Sequence, residues 1–279
     1  MTPTATPTTR TVGAKAVVAG PAAVTPAQAQ LHSQVEALTR RLRLPYLRAQ
    51  LPDTLATARS QRWDPGEVVR VLLDAEAAGR DAATIASRRR AAGFAQGKTF
   101  HSWDPQVSSI PQAAQQALMT LEWVARHENL CVAGPSGTGK SHFLEALGHH
   151  AIDQGMKVTW TTLEALGGLL RRHRVDDSAA KAITRLLRVD LVIVDDIGLL
   201  PVAADAAEAF YRLIDAAYEK RSLAISSNVH PAGFDELLPA TLAAAGVDRL
   251  LHHAHVILTQ GDSHRLREAT TGKGVIALI

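Results

Sequence analysis

The octapeptide Gly134-Pro135-Ser136-Gly137-Thr138-Gly139-Lys140-Ser141 has the spacing G-x-x-x-x-G-K-[ST] throughout. Residue types in this order suit the grip of a triphosphate. Glycines admit backbone angles that a side chain forbids, so successive N–H groups can turn inward around a phosphate. A helix beginning near Gly139 adds the positive end of its dipole at the same point. Lys140 then reaches the outer phosphates, and the Ser141 hydroxyl is placed to ligate magnesium. Such a cradle needs a second, acidic arm. "LVIVDD" supplies one, with four apolar residues followed by Asp195 and Asp196. Ligands of parallel sheets sit at the carboxyl ends of the strands, which is where these two acids fall. Asp195 is expected to hold the magnesium ion through water, and Asp196 to polarise an attacking water.

The chain has two asparagines, Asn129 and Asn228, and neither begins an Asn-Lys-x-Asp motif for reading guanine. A small GTPase is therefore disfavoured. Asn228 closes the run "LAISSN", where its amide either orients a water near the γ-phosphate or caps the following turn.

These residues need a scaffold, and the pattern around them describes one. "NLCVAG", "KVTWTT", "DLVIVDD", "LAISSN" and "HVILTQ" read as short strands separated by helical segments. That order implies an α/β core, a mostly parallel sheet flanked by helices. Upstream the period is helical. Leu38, Leu42 and the pair Tyr46/Leu47 share a face, and Val68, Val69, Leu72 and Leu73 form a stripe after an Asp64-Pro65 start signal. A small all-helical domain is expected over 31–105, ending in a linker, "FAQGKTFHSWDPQVSSIP". The first 30 residues, rich in Thr, Pro and Ala, predict a disordered tail.

Hydrophobic content of 46% is ample for a core, and aromatic content of 4% makes that core Leu/Val/Ala-rich. No apolar run approaches the roughly 20 residues of a membrane helix, and "AVVAG" is too short for a signal-peptide core. The single cysteine, Cys131, excludes an intrachain disulfide and reads as a small buried residue. A soluble cytoplasmic protein fits this. Residues 1–105 carry 14 Lys and Arg against 8 Asp and Glu, the remainder 16 against 19. A basic front half is compatible with an anionic partner, or with a basic face turned to solvent.

In their order, "GPSGTGKS", "DLVIVDDIG", "SSN" and "VDRLLHHAHVILTQGDSHRLRE" resemble the IstB-like transposition helper ATPases. These are AAA+ proteins akin to the DnaC helicase loader and the DnaA initiator. "LRLPYLRAQL" and "RRRAAGFAQGKTF" extend the resemblance, which covers about 31–268. It implies a P-loop AAA+ ATPase core over 106–268, with ATP and magnesium as cofactors. Asp195 and Asp196 would stand at the Walker B acids and Asn228 at sensor 1. Arg249 would reach a neighbouring subunit's nucleotide, and Arg265 aligns with a sensor 2 arginine. Without the resemblance, Arg249 reads as a surface ion pair. Asp196 is one methylene shorter than the Glu of many AAA+ enzymes, which implies slow hydrolysis. About 19 residues follow "HVILTQ", too few for a full C-terminal lid, and 269–279 form a tail outside the resemblance.

The segment before "LVIVDD" is long enough for two helices, and in the initiator and loader relatives an extra helix here faces DNA. Arg171, Arg172 and Arg174 cluster in it, and Arg88, Arg89, Arg90 and Lys98 form a second group. Such clusters give salt-sensitive, sequence-tolerant binding, or simply a solvated basic face. "HHAH", at His252, His253 and His255, lies at a helix-to-strand junction where the rings diverge, and no carboxylate or cysteine is placed to complete a zinc site. The reading carried forward is an ATP-dependent helper that assembles as a homo-oligomer on duplex DNA and recruits or activates a transposase. A helicase loader and a small-molecule phosphotransferase remain as alternatives.

Overall fold

The computed structural model describes residues 26–94, 97–173, 178–198, 202–234 and 240–264, the side chains of 28 and 240–244 excepted. The chain divides into two compact units, Met1–Arg80 and Asp81–Ile279. Among the described residues no helix is long and apolar enough to cross a membrane.

The first unit contains α1 (Pro26–Arg41), α2 (Pro45–Gln61) and the front of α3 (Pro65–Ala92). Pro45 and Pro65 each open a helix, where the missing N–H costs nothing and the fixed φ already suits the helix. Leu47, Leu51 and Leu72 are buried, and Val35, Leu44, Leu55 and Val68 pack against them. The apolar stripes predicted for α1 and α3 are only partly covered. Leu38, Leu42, Val69 and Leu73 are all more than half exposed. The start of α2 is held by a residue far from it in sequence. Glu76 accepts from the backbone N–H groups of Tyr46 (3.0 Å) and Leu47 (2.9 Å) and from Arg80 Nε (2.7 Å). A carboxylate at a helix N-terminus satisfies two orphan donors and complements the dipole.

The second unit is built on five strands: β1 (Asn129–Ala133), β2 (Val158–Thr162), β3 (Leu191–Ile197), β4 (Ser222–Ser227) and β5 (Ala254–Leu258). Every neighbouring pair is parallel, in the order β2-β3-β4-β1-β5. The connecting helices are α4 (Gln112–Met119), α5 (Glu122–Ala125), α6 (Lys140–Asp153), α7 (Leu163–His173), α8 (Ala179–Leu186), α9 (Ala204–Ala217) and α10 (Ala240–Leu251). Helix α6 covers one face and α7, α8 and α9 the other, so the central strands are buried on both sides. Along β3, Leu191 and Ile193 join the α6-side core with Phe143, Leu144 and Leu147, while Val192 and Val194 join Leu166, Phe210 and Leu213 opposite. The continuous apolar runs in the sequence are the direct consequence of this two-sided burial. Two helices, α7 and α8, fill the segment between β2 and β3, as its length predicts.

The stretch read as a linker is packed structure. Phe94, Phe100 and Trp103 lie against the α6-side core and Ile110 is buried in it. Phe100 and Trp103 meet Phe143 with ring centroids 5.7 and 5.4 Å apart. Gly and Pro punctuation marks a non-repetitive path, but the apolar residues between those marks decide that it is buried.

Burial pushes the Glu76 carboxyl up, but its bonds from Leu47, Arg80 and Tyr46 outweigh this and hold it below its ordinary value. A carboxyl depressed in the folded state contributes stability that is full above its unfolded pKa, near 4.3, and is lost as pH falls through the folded value. Glu76→Gln is expected to lower the thermal midpoint at neutral pH. Circular dichroism melts should show that deficit shrinking progressively below about pH 4.

Candidate nucleotide-binding site

Strand β1 is fully buried and ends at Ala133, which throws the glycine-rich loop beyond the carboxyl edge of the sheet. Gly134, at φ 146°, and Gly139, at φ 90°, adopt angles that L side chains rarely reach. At Gly134 a Cβ would also strike the Thr259 carbonyl. Pro135 and Ser136 are exposed at the tip, while Thr138 and Lys140 are buried. Helix α6 begins at Lys140, with Gly139 as its N-cap, so the positive end of its dipole faces the loop's concavity.

The two arms meet through four side chains. Lys140 Nζ donates to the carbonyls of Gly134 (2.8 Å) and Pro135 (2.7 Å) and to Asn228 Oδ1 (2.8 Å). Ser141 Oγ donates to Asp195 Oδ1 at 2.8 Å. The ammonium and the hydroxyl that motif spacing assigns to phosphate and magnesium thus stand beside the amide and the carboxylate assigned to the same chemistry. Asp195, only 6% exposed, is a hard oxygen donor at the end of β3. Paired with the Ser141 hydroxyl it makes an all-oxygen set, which suits magnesium.

Asp196 sits differently. Its φ of 62° is left-handed, and the β3–β4 register shifts between Val194 and Ile197. A bulge of this kind re-aims one side chain: Asp195 stays buried while Asp196 is exposed. Ser226 on β4 holds both acids. Its Oγ donates to Asp195 Oδ1 in a short bond and accepts the Asp196 backbone N–H at 3.1 Å. Strand β4 also ties the arms through its carboxyl end, with Gly134 N–H donating to Ser227 O (3.0 Å) and Asn228 N–H to Ile197 O (2.8 Å).

Ser226 and Thr259 carry no role in the sequence reading, although both lie in runs it singles out. Thr259 follows β5, donates its N–H to Ala133 O at 2.7 Å, and shares a 2.7 Å hydroxyl–hydroxyl bond with Thr138. His264 N–H donates to Gly137 O at 3.0 Å. The segment after β5 therefore braces the loop. Trp103 lines Gly139 from the other side and donates from its indole N–H to Gln115 Oε1 at 2.9 Å. Cys131 is buried beneath the loop, and burial pushes its thiol up to about 12, so it stays protonated.

Arg249 is not brought to this site. It lies in the last turn of α10, where it donates to Tyr211 Oη (3.1 Å) and pairs with Asp215 (2.8 Å), both on α9. The adjacent Leu250 carbonyl accepts from Asn129 Nδ2, at the start of β1. The loop leaves the end of that strand, roughly 16 Å further on at 3.3 Å per residue.

The basic residues are dispersed. Arg171 and Arg172 are exposed in the last turn of α7, and Arg171 lies 3.8 Å from Asp205. Arg88 donates to the Gly155 carbonyl and Arg89 pairs with Asp153 at 2.6 Å, so they engage the end of α6 and the turn after it. Arg90 lies in the last turn of α3, and the Lys98 backbone N–H donates to Glu145. Arg174 and Arg265 lie outside the described residues, as do 269–279 and residues 1–25 of the tail expected over the first 30 residues, whose last five, 26–30, are instead helical in α1.

A parallel sheet in this strand order, with a glycine-rich phosphate loop after β1 and paired acids ending β3, defines the AAA+ class of P-loop nucleotide-binding proteins. The chain belongs to the IstB-like ATP binding protein family, whose model matches residues 37–272. It is 31% identical over 237 residues to an insertion sequence IS21 ATP-binding protein of Pseudomonas aeruginosa, covering 84% of this chain and 89% of that one. An insertion sequence ATP-binding protein of Sinorhizobium fredii is 33% identical over 217 residues, covering 75% and 86%. Among solved structures, a DNA replication initiation factor matches with a TM-score of 0.50 at 19% identity, covering 64% of this chain and 55% of that one, a likeness of fold.

Because Lys140 is the buried cation of the loop, Lys140→Ala is expected to weaken magnesium-ATP binding by at least about 100-fold, on the scale of about 3 kcal/mol for a lost charge-assisted contact. Titration with labelled ATP checks this, with an unchanged thermal midpoint excluding misfolding as the cause.

Proposed function

We propose that this chain is an ATP-dependent DNA-binding helper of transposition, which oligomerises on duplex DNA with ATP and recruits or activates a partner transposase. The observation that carries the reading is the separation of Arg249 from a site otherwise complete. Lys140 is bonded to Asn228 and Ser141 to Asp195 at the carboxyl end of the sheet, while Arg249 is anchored near its amino end. An arginine so placed serves a second subunit's nucleotide and not its own. The insertion-sequence names of the relatives support the transposition setting.

In this mechanism the loop amides and Lys140 bind and orient the phosphates. Ser141 and Asp195 would hold magnesium, which when bound neutralises phosphate charge. Asn228 and Asp196 position and polarise the attacking water. Asp196 takes this task through the bulge that turns it away from Asp195, and its short side chain suits slow turnover. The neighbour's Arg249 stabilises charge developing on the transferred phosphoryl group. Hydrolysis thus depends on assembly, as a DNA-triggered switch requires. Arg171 and Arg172, in the last turn of α7, together with Arg174, contact phosphates without reading sequence.

Arg249→Ala is expected to keep ATP binding while DNA-stimulated hydrolysis falls by at least about 100-fold, the lower range for a lost arginine finger being nearer a thousand. Sedimentation velocity with ATP, magnesium and a duplex of arbitrary sequence should show assembly that weakens steeply with salt. Normal hydrolysis by Arg249→Ala, or a chain that stays monomeric under these conditions, overturns the shared-site reading.

A further inference from the structure

We propose that Glu219, His252 and His253 form a binding site for a divalent transition-metal ion of the zinc type, separate from the nucleotide site. One ligand atom from each of the three lies within 4.8 Å of the others, and all three residues are exposed. The rings of His252 and His253 are 4.0 Å apart at their centroids, so the two neighbours converge where a helix-to-strand junction was expected to splay them. Tetrahedral ligand atoms at zinc distances are about 3.3 Å apart. Small side-chain rotations close that gap, since nothing buries these residues.

The backbone positions are fixed before any metal binds. His252 N–H donates to Asp248 O at 2.9 Å, continuing α10, and the His253 carbonyl accepts from Asn129 N–H at 2.8 Å, starting the β1–β5 pairing. Glu219 has a φ of 55° in the turn after α9. Glycine is the usual residue at such a left-handed helix end, and a side chain there is strained. The strain places a carboxylate beside His252. Tyr218 supplies a supporting partner, its hydroxyl bonding His252 Nδ1 at 3.1 Å. That contact engages Nδ1 and leaves Nε2 for the metal; with Nδ1 donating to the hydroxyl it would act as the outer hydrogen bond of a ligating histidine does.

The third histidine of "HHAH" is excluded. His255 Nε2 bonds Glu128 at 2.7 Å. The ligand sets of the two sites also differ in kind. Imidazole with one carboxylate favours zinc-like ions, whereas the Ser141–Asp195 oxygens favour magnesium. Three protein ligands leave a fourth position for water or for a residue of another chain. A bound ion would clamp the turn after α9 to the end of α10, three residues beyond Arg249.

The test uses the full chain, stripped by chelator and kept in millimolar magnesium without nucleotide, and titrated with zinc by calorimetry and with cobalt(II) by visible absorption. One ion per chain is expected, with zinc raising the thermal midpoint through binding to the folded state. His253→Gln and Glu219→Gln should each weaken binding by at least about tenfold, a loss on the scale seen when metal sites lose support. Both replace exposed side chains, and their thermal midpoints without metal report that they fold. His255→Gln should bind zinc as the parent does. Absence of one-to-one binding, unchanged affinity in the first two variants, or an equal loss in His255→Gln each overturns the proposal.

Discussion

One carboxylate oxygen organises the nucleotide site. Asp195 Oδ1 receives the Ser141 hydroxyl from the phosphate loop and the Ser226 hydroxyl from β4. Three segments that are distant in sequence are thereby held at one point on the edge of the sheet. A buried carboxylate is tolerable only while its lone pairs are satisfied, because leaving one unpaired costs about 1–3 kcal/mol or more. Satisfying it forces the start of α6, the end of β3 and the end of β4 into register. The same oxygen belongs to the all-oxygen set that suits magnesium, so one arrangement that holds the fold is also chemically apt for that ion.

The sheet order explains how two adjacent acids come to lie in different surroundings. With β4 between β3 and β1, Ser226 and Asn228 stand between the two arms. A regular strand would send Asp195 and Asp196 to opposite faces, one of them into the core. The bulge at Asp196 avoids this by breaking register only after Val194, once the buried run is complete. The strain of a left-handed aspartate is small beside the cost of burying a second charge next to Asp195.

Opposite ends of the same sheet carry distinct chemistry. Loops at the carboxyl end gather hard oxygens, a lysine and helix N-termini, all suited to phosphate. The C-terminal halves of α9 and α10 and the turns after them gather Arg249, Tyr211, Asp215 and the Glu219–His252–His253 group. Helix polarity contributes to the division, since parallel αβ units bring helix N-termini to one edge and C-termini to the other.

Much was legible from residue order alone. G-x-x-x-x-G-K-[ST] determined the phosphate loop because its function rests on backbone freedom and two adjacent side chains, all local. Apolar runs such as Leu191–Val194 determined a parallel, doubly covered sheet because two-sided burial leaves no polar alternation. Other features depended on contacts that no local pattern encodes. Ser226 looks like any strand serine until β3 lies beside it, and Thr259 like any residue ending a strand until the loop folds against it. Glu76 caps α2 from about thirty positions away. The Gly- and Pro-marked stretch around Phe100 and Trp103 resembles a linker until α6 offers Phe143 as a partner. Glu219 approaches His252 only because two helices of the second unit end side by side. Hydrogen-bond geometry and packing across distant segments are properties of the assembled chain, and these residues took their roles from it.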